Sequence, residues 1–277
     1  MPSENVPASI ESGSIESGSI AGAPAAGAST DRRTRKREAR RDHLLDLAAG
    51  IVAEDGIEGL TMAALGEASD YATASLYTYF PSRSALLAAL QTRALVTLGG
   101  VAAHAVADWD ARVAGAGTDP ATGALARLWG FAELFLAAPD EHPHEFRLQQ
   151  RLLVTDGGQE TDDVAAVVPA AMAVLDVPRR LLVDAAAAGA IRAADPVVDP
   201  LDQPADGELV RTISWVVALN GALLTDGLVM GLPTTGTALG RELTAALLVG
   251  WGAEPGASDE ARGIARTWAT DAGSSTP

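Results

Sequence analysis

TMAALGEASDYATASLYTYFPSRSALLAAL, residues 61–90, decides the reading of this 277-residue chain. Thr61 stands where its hydroxyl can cap a short helix that carries Met62 and Leu65 inward. Ala64 occupies the position at which a capping box would have Glu, so this start depends on Thr61 alone. A turn follows at Ser69 to Tyr71, where Asp70 tolerates a left-handed conformation at a cost of roughly 1 kcal/mol or less. A second short helix runs up to Pro81, which cannot supply the next helical N–H. Ala72 offers that helix no side-chain cap, which leaves Thr73 or Asp70 to satisfy its first N–H groups. Ser82 can cap the helix that follows, with Leu86, Leu87 and Leu90 on its apolar side. Two short helices joined by a tight turn and buttressed on each side describe a helix-turn-helix, whose second helix can reach base edges in the major groove.

Upstream, Leu44, Leu47, Ala48, Ile51 and Val52 form the stripe of an amphipathic helix that begins near Thr34 and stops at Gly56. Before it, residues 31–41 hold seven basic side chains, Arg32, Arg33, Arg35, Lys36, Arg37, Arg40 and Arg41, against Asp31 and Glu38. The whole chain carries a net charge of -16, which on its own argues against a nucleic-acid partner. The distribution reverses that argument: from residue 100 onward 24 carboxylates face eleven arginines, so a basic arm precedes an acidic body. A basic run beside a helix-turn-helix is suited to phosphate or minor-groove contact. Residues 1–30 are Ser, Gly, Ala and Pro with SIESG repeated at 9–13 and 14–18, and are expected to be a disordered tail.

The 61–90 segment resembles the signature of TetR-family regulators without a gap, and LLDLAAGIVAEDGIEGL at 44–60 resembles the helix-Gly pattern that precedes it. The string Leu-Tyr-Thr-Tyr-Phe-Pro-Ser-Arg at 76–83 is its most diagnostic part. The resemblance implies an all-α protein, with a three-helix DNA-binding domain followed by a helical domain for effector binding and dimerisation. Residue by residue, it implies that Thr61 touches a phosphate, that Thr73, Ala74 and Ser75 face base edges, and that Tyr77 and Thr78 contact backbone or bases. Arg83 would hold a phosphate, with Arg35, Lys36 and Arg40 of the arm adding further grip. Leu76, Tyr79 and Phe80 would pack the domain's core. Thr73 and Thr78 stand where the family often has Lys and His, which shifts more of the phosphate grip onto the arm.

Beyond residue 100 the chain is Ala- and Leu-rich with helical periodicity, and no stretch alternates like a strand. Helices are expected near 121–138, 143–154, 162–189, 208–230 and 237–252, the third bent or divided by Pro169 and Pro178. The family resemblance implies a small-molecule cavity here. Candidate lining residues are the aromatics Trp129, Phe131, Phe135 and Trp215, with Gln149, Gln150, Asn220 and Thr225 as polar groups on apolar helices. A buried Asn220 needs a partner, be it a ligand or only a backbone carbonyl. The two late helices are the dimerisation candidates, through Ile213, Val216, Val217 and Leu224 on one and Leu243, Leu247 and Leu248 on the other. Operator-reading motifs of this kind work as symmetric pairs, so the expected partners are a palindromic duplex, a second copy of the chain and a small apolar or cationic effector.

The organisation expected is a tail at 1–30, a DNA-binding domain at 31–98, an effector and dimerisation domain at 99–252 and a poorly ordered tail at 253–277. No cysteine is present, so disulfides, thiolate metal sites and a cysteine nucleophile are excluded. No uninterrupted apolar run approaches the roughly 20 residues of a membrane span, and the expected location is the cytoplasm. His142 and His144 are flanked by Glu141 and Glu145, but side chains two apart on a helix do not share a face, so no metal site is expected. No cofactor is expected, and an enzyme is the weaker alternative. A DNA-binding protein of the same fold without an effector is the other one.

Overall fold

The structure, a computed structural model, describes residues 26–151, 161–198, 204–227 and 233–274. The chain divides into two units, Met1–Asp42 and His43–Pro277. In the first, residues 26–42 are helical and residues 31–42 are exposed throughout, with Arg35 paired to Asp31 at 2.7 Å. Helix α1, Ala26–Gly59, thus starts five residues inside the expected tail, the rest of which lies outside the described residues.

In the second unit the remainder of α1 is helical to Gly56, whose φ of 74° breaks it before a final turn ending at Gly59. Helices α2 (Met62–Ser69) and α3 (Thr73–Leu76) follow, then α4 (Arg83–Ala116), 34 residues long. The α1–α4 core is aliphatic, built on Leu44, Leu60, Leu65, Leu76, Leu86 and Leu90 with Phe80 among them. The 98/99 boundary expected between domains lies inside α4. By length and composition α4 is apolar enough to cross a membrane, yet it is a core helix here: Leu86 to Ala94 pack in the α1–α4 core, and Trp109 and Val113 pack among the later helices.

The later helices are α5 (Pro120–Glu141), α6 (Pro143–Gln150), α7 (Thr161–Ala187), α8 (Gly207–Leu224), α9 (Gly236–Gly250) and α10 (Pro255–Ser274). Their starts follow capping chemistry: Asp119, Asp206 and Thr235 accept the first N–H groups of α5, α8 and α9. Helix α5 is the centre, buried on nearly all sides, and Gly130 has no side chain where the Trp109 ring lies against it. Helix α7 keeps Pro169 and Pro178 within one undivided helix. Each proline forfeits one N–H, and burial of Val167, Leu181, Leu182 and Ala185 holds the helix together across them. Helix α8 ends at Leu224 in a short 3-10 turn, Thr225–Gly227, before the expected end at 230. A two-residue ladder pairs Val197–Val198 with Pro204–Ala205.

The expected tail at 253–277 is corrected by α10. Pro255 opens it, Glu254 accepts the Ala257 N–H, and Ala261, Ala265 and Trp268 are buried at helical spacing against α5. Its indole stacks on Trp109 at 5.7 Å between ring centroids.

Candidate DNA-reading face and body cavity

Thr61 accepts the Ala64 N–H at 3.0 Å and starts α2. The turn that ends α2 places Asp70 at φ 57°, ψ 25°, the only non-glycine with positive φ among the described residues. No side chain caps α3 at Ala72, so the expectation that Thr73 or Asp70 would do so is corrected; the backbone instead turns tightly, with Ser75 N–H on the Ala72 carbonyl. Leu76 and Phe80 then enter the core, and Tyr79 packs partly into it. Alternate positions face outward: Thr73, Ala74, Ser75, Tyr77 and Thr78 are exposed, Tyr77 at 49 %. Ser82 closes the unit by accepting the Ala85 N–H at the start of α4.

Arg83 is engaged in a way sequence reasoning did not foresee. Its guanidinium donates to the carbonyls of Leu60 (2.5 Å) and Ile57 (2.7 Å) and lies 3.8 Å from Glu58. The Ile57 carbonyl, in the last turn of α1, also accepts the Leu60 N–H at 3.2 Å, and Leu60 stands just past the helix end, so Arg83 braces the segment that links α1 to α2. Its charge therefore stabilises the motif from within.

Residues of α4, α5, α6 and α7, with Val216 of α8, line a partly open apolar cavity of about 160 Å³. Of the eight residues expected to bind a ligand, Phe131, Phe135 and Gln149 line it. Trp129 and Trp215 do not: the first donates its N–H to Ser258 at 3.1 Å under Arg262, and the second donates to Thr244 at 3.1 Å. Both indoles are satisfied core residues, Trp215 lying one ring behind the wall at 5.3 Å from Phe131. Asn220 is buried and donates to the Val216 carbonyl, Thr225 donates to Ala222 in the 3-10 turn, and Gln150 is absent from the wall. Sequence reasoning missed the α4 face Leu95, Leu98 and Ala102, whose i, i+3, i+7 spacing was the available signal, and Phe146 of α6. His142 joins the wall where α5 gives way to α6, while His144 is exposed.

Helix α6 joins the two interiors. Phe146 and Gln149 line the cavity, Leu148 is buried in the α1–α4 core, and Arg151 reaches Glu58 at 3.3 Å. Gln149 carries an unmet requirement: its Oε1 is buried and accepts no hydrogen bond. None of the lining residues is Asp, Glu, Lys or Arg.

The expected dimer set separates by burial. Ile213, Val217 and Leu224 are exposed on α8, continuing a stripe from Val210, and Leu243 and Leu247 of α9 are partly buried. Val216 and Leu248 are corrected: the first faces the cavity and the second is sealed in the core, because each lies on the inward side of its helix.

Among the described residues the chain is almost wholly helical, with a capped helix-turn-helix, an outward face on its second helix and an apolar cavity among the later helices, an arrangement suited to a DNA-binding regulator. Residues 44–90 match the model for bacterial regulatory proteins of the tetR family, so this segment is similar to the DNA-binding domain of that family. Among solved structures it is similar to RolR in complex with its ligand resorcinol, at 21% identity over 84% of this chain and 95% of that one, with a TM-score of 0.53. It is similar also to a protein of unknown function from Rhodococcus sp. RHA1 (21% identity, 76% and 94% covered, TM-score 0.52) and to a tetR-family regulatory protein from Rhodococcus RHA1 (12%, 77% and 97%, 0.50). Likeness at these identities establishes the fold alone. No curated protein matches the chain.

Proposed function

We propose that the protein is a cytoplasmic repressor that grips a pseudo-palindromic operator as a homodimer and lets go when a small apolar molecule enters the body cavity. The observation that carries this reading is the outward set Thr73, Ala74, Ser75, Tyr77 and Thr78 on a helix anchored from beneath by Leu76 and Phe80. Those side chains can meet base edges and phosphates, whereas the arm, Arg32 to Arg41, supplies charge that any sequence attracts. Thr61 keeps its hydroxyl at an exposed helix start, where N–H groups favour a phosphate. In this reading residues 31–98 read DNA and 99–252 sense and dimerise, with α10 added to the sensing part. The exposed apolar stripe Val210, Ile213, Val217 and Leu224 supports pairing of two copies through α8.

The wall, which holds no Lys or Arg, supports a neutral effector over a phosphorylated one, since an anion in a low-dielectric site requires a committed cation. The same wall disfavours the cationic class, which would require a carboxylate. Selection of duplexes from a random pool tests the reading: inverted repeats support it, and recovery of single asymmetric sites or no enrichment refutes it.

A further inference from the structure

We infer that the arm binds phosphates through one face only: Arg32, Arg33, Lys36, Arg37, Arg40 and Arg41 form the basic side of a helix that lies along the DNA backbone, and Arg35 is not part of it. The inference rests on the operator reading and names the side chains that supply its sequence-independent grip. Residues 31–42 are helical and exposed throughout. At about 100° per residue, the six cations fall within roughly half of the helix circumference. Asp31, Glu38 and Asp42 cluster on the opposite side, and Arg35 stands among them, 2.7 Å from Asp31. Helix formation thus sorts a mixed run of charges into a basic and an acidic face.

The basic face suits a row of phosphates. It sets like charges four apart, Arg32–Lys36–Arg40 and Arg33–Arg37–Arg41, and this repulsion opposes the helix until anions lie beside it. The helix-turn-helix unit brings little attraction of its own. Residues 43–98 hold six carboxylates against two arginines, and both arginines are engaged: Arg83 with the Leu60 and Ile57 carbonyls, Arg93 with the Leu45 carbonyl and the Asp46 carboxylate. Thr73, Ala74, Ser75, Tyr77 and Thr78 carry no charge. Counterion release, the source of sequence-independent affinity, therefore falls to the arm. A lipid surface fits less well, because residues 26–42 contain no apolar side chain larger than alanine and an interfacial helix needs an apolar face.

The test measures binding of the full chain to a duplex of random sequence over a range of salt, for the wild type and for Arg33→Gln, Arg40→Gln, Arg35→Gln and Glu38→Gln. Gln is nearly as good a helix former as Arg, and circular dichroism verifies that helix content is kept. Arg33→Gln and Arg40→Gln should each lower the salt slope by about 0.9 log unit per log unit and raise Kd by roughly fivefold to tenfold at about 0.1 M salt. Arg35→Gln and Glu38→Gln should leave Kd within about twofold, since charges turned away from the duplex are largely screened at that salt. Equal losses in Arg33→Gln and Arg35→Gln, or a comparable gain in Glu38→Gln, would show that net charge alone counts and overturn the face. Unchanged slopes in Arg33→Gln and Arg40→Gln would overturn it as well, and binding to phosphatidylserine vesicles in place of duplex would overturn DNA as the partner. If the wild type binds no duplex, the operator reading falls too; if the face fails in a chain that still selects inverted repeats, that reading stands.

Discussion

Leu148 and Gln149 are consecutive residues of α6 that serve different interiors, Leu148 sealed in the α1–α4 core and Gln149 standing in the cavity wall. A shift of α6 that improves the fit around a guest therefore displaces a side chain of the DNA-binding core. A ligand acts on DNA only through its differential affinity for two such arrangements. Leu148→Ala should cost about 2–5 kcal/mol of stability, as for other buried leucines. It should also shrink the ratio of operator affinities measured without and with effector. A variant that loses stability but keeps that ratio would show that coupling runs elsewhere.

Arg83 makes a different claim testable. If its role is to close the α1 terminus, Arg83→Lys should lower the thermal stability of the DNA-free protein by about 1–3 kcal/mol, because an ammonium cannot hold two carbonyls in the guanidinium's fork. A residue serving only phosphate would leave the free protein's melting unchanged and weaken DNA binding alone.

The arm and the recognition face should separate by salt and by sequence. Deleting residues 1–41 should weaken binding to all duplexes alike and flatten the salt dependence by about 0.9 log unit per log unit of salt for each phosphate that the arm neutralises. Replacing Ser75 or Tyr77 by Ala should instead cost about 1–3 kcal/mol on the preferred site and little on random DNA. An unchanged salt slope after the deletion would remove the arm from the interface.

Asp206 supplies the pH dependence. Arg179 donates to its carboxylate at 2.7 and 3.2 Å, and the Glu208 and Leu209 N–H groups bond to its other oxygen at the start of α8. The guanidinium, aided by these N–H donors, holds the Asp206 carboxyl below the usual carboxylate range, against the opposing effect of burial. A group whose pKa is lowered by folding stabilises the native state above its unfolded value, about 3.9, and loses that contribution as pH falls through the folded value. Urea midpoints of wild type and Asp206→Asn should therefore differ most near pH 7 and converge below about pH 3. Curves that stay parallel into acid would show that the ion pair is without effect. Asp206→Ala, which also removes the cap, should cost about 1 kcal/mol at neutral pH.

The helix-turn-helix was legible because its signals are local. Thr61, Asp70 and Ser82 act on backbone groups within three residues of themselves, so their chemistry can be read from the chain alone. The inward and outward sorting of Leu76, Phe80 and the threonines followed from helical spacing. The cavity was legible only in part, because its wall depends on how four helices meet. Trp129 and Trp215 look like ligand platforms in sequence, and only Ser258 and Thr244, 129 and 29 residues away, reveal them as satisfied core. Helix α10 was hidden for a related reason: its buried face is mostly alanine, whose small side chain marks helical periodicity weakly. The bonding of Arg83 was out of reach of sequence because its partners are backbone carbonyls at the end of α1, more than twenty residues earlier.

The Trp129–Ser258 pairing has a consequence for synthesis. Of the residues that build the α1–α4 core, all but Leu148 lie at or before Ala94, whereas the central helix α5 is covered only after α10 has been made. At ribosomal rates of about 5–20 residues per second, the roughly 130 residues between Trp129 and Ser258 take on the order of ten seconds to emerge. Through that interval the nascent chain holds most of the α1–α4 core while the tryptophan-rich centre of the later helices is still open to water and to chaperones. The helix-turn-helix unit is thus completed early and the later helical body last.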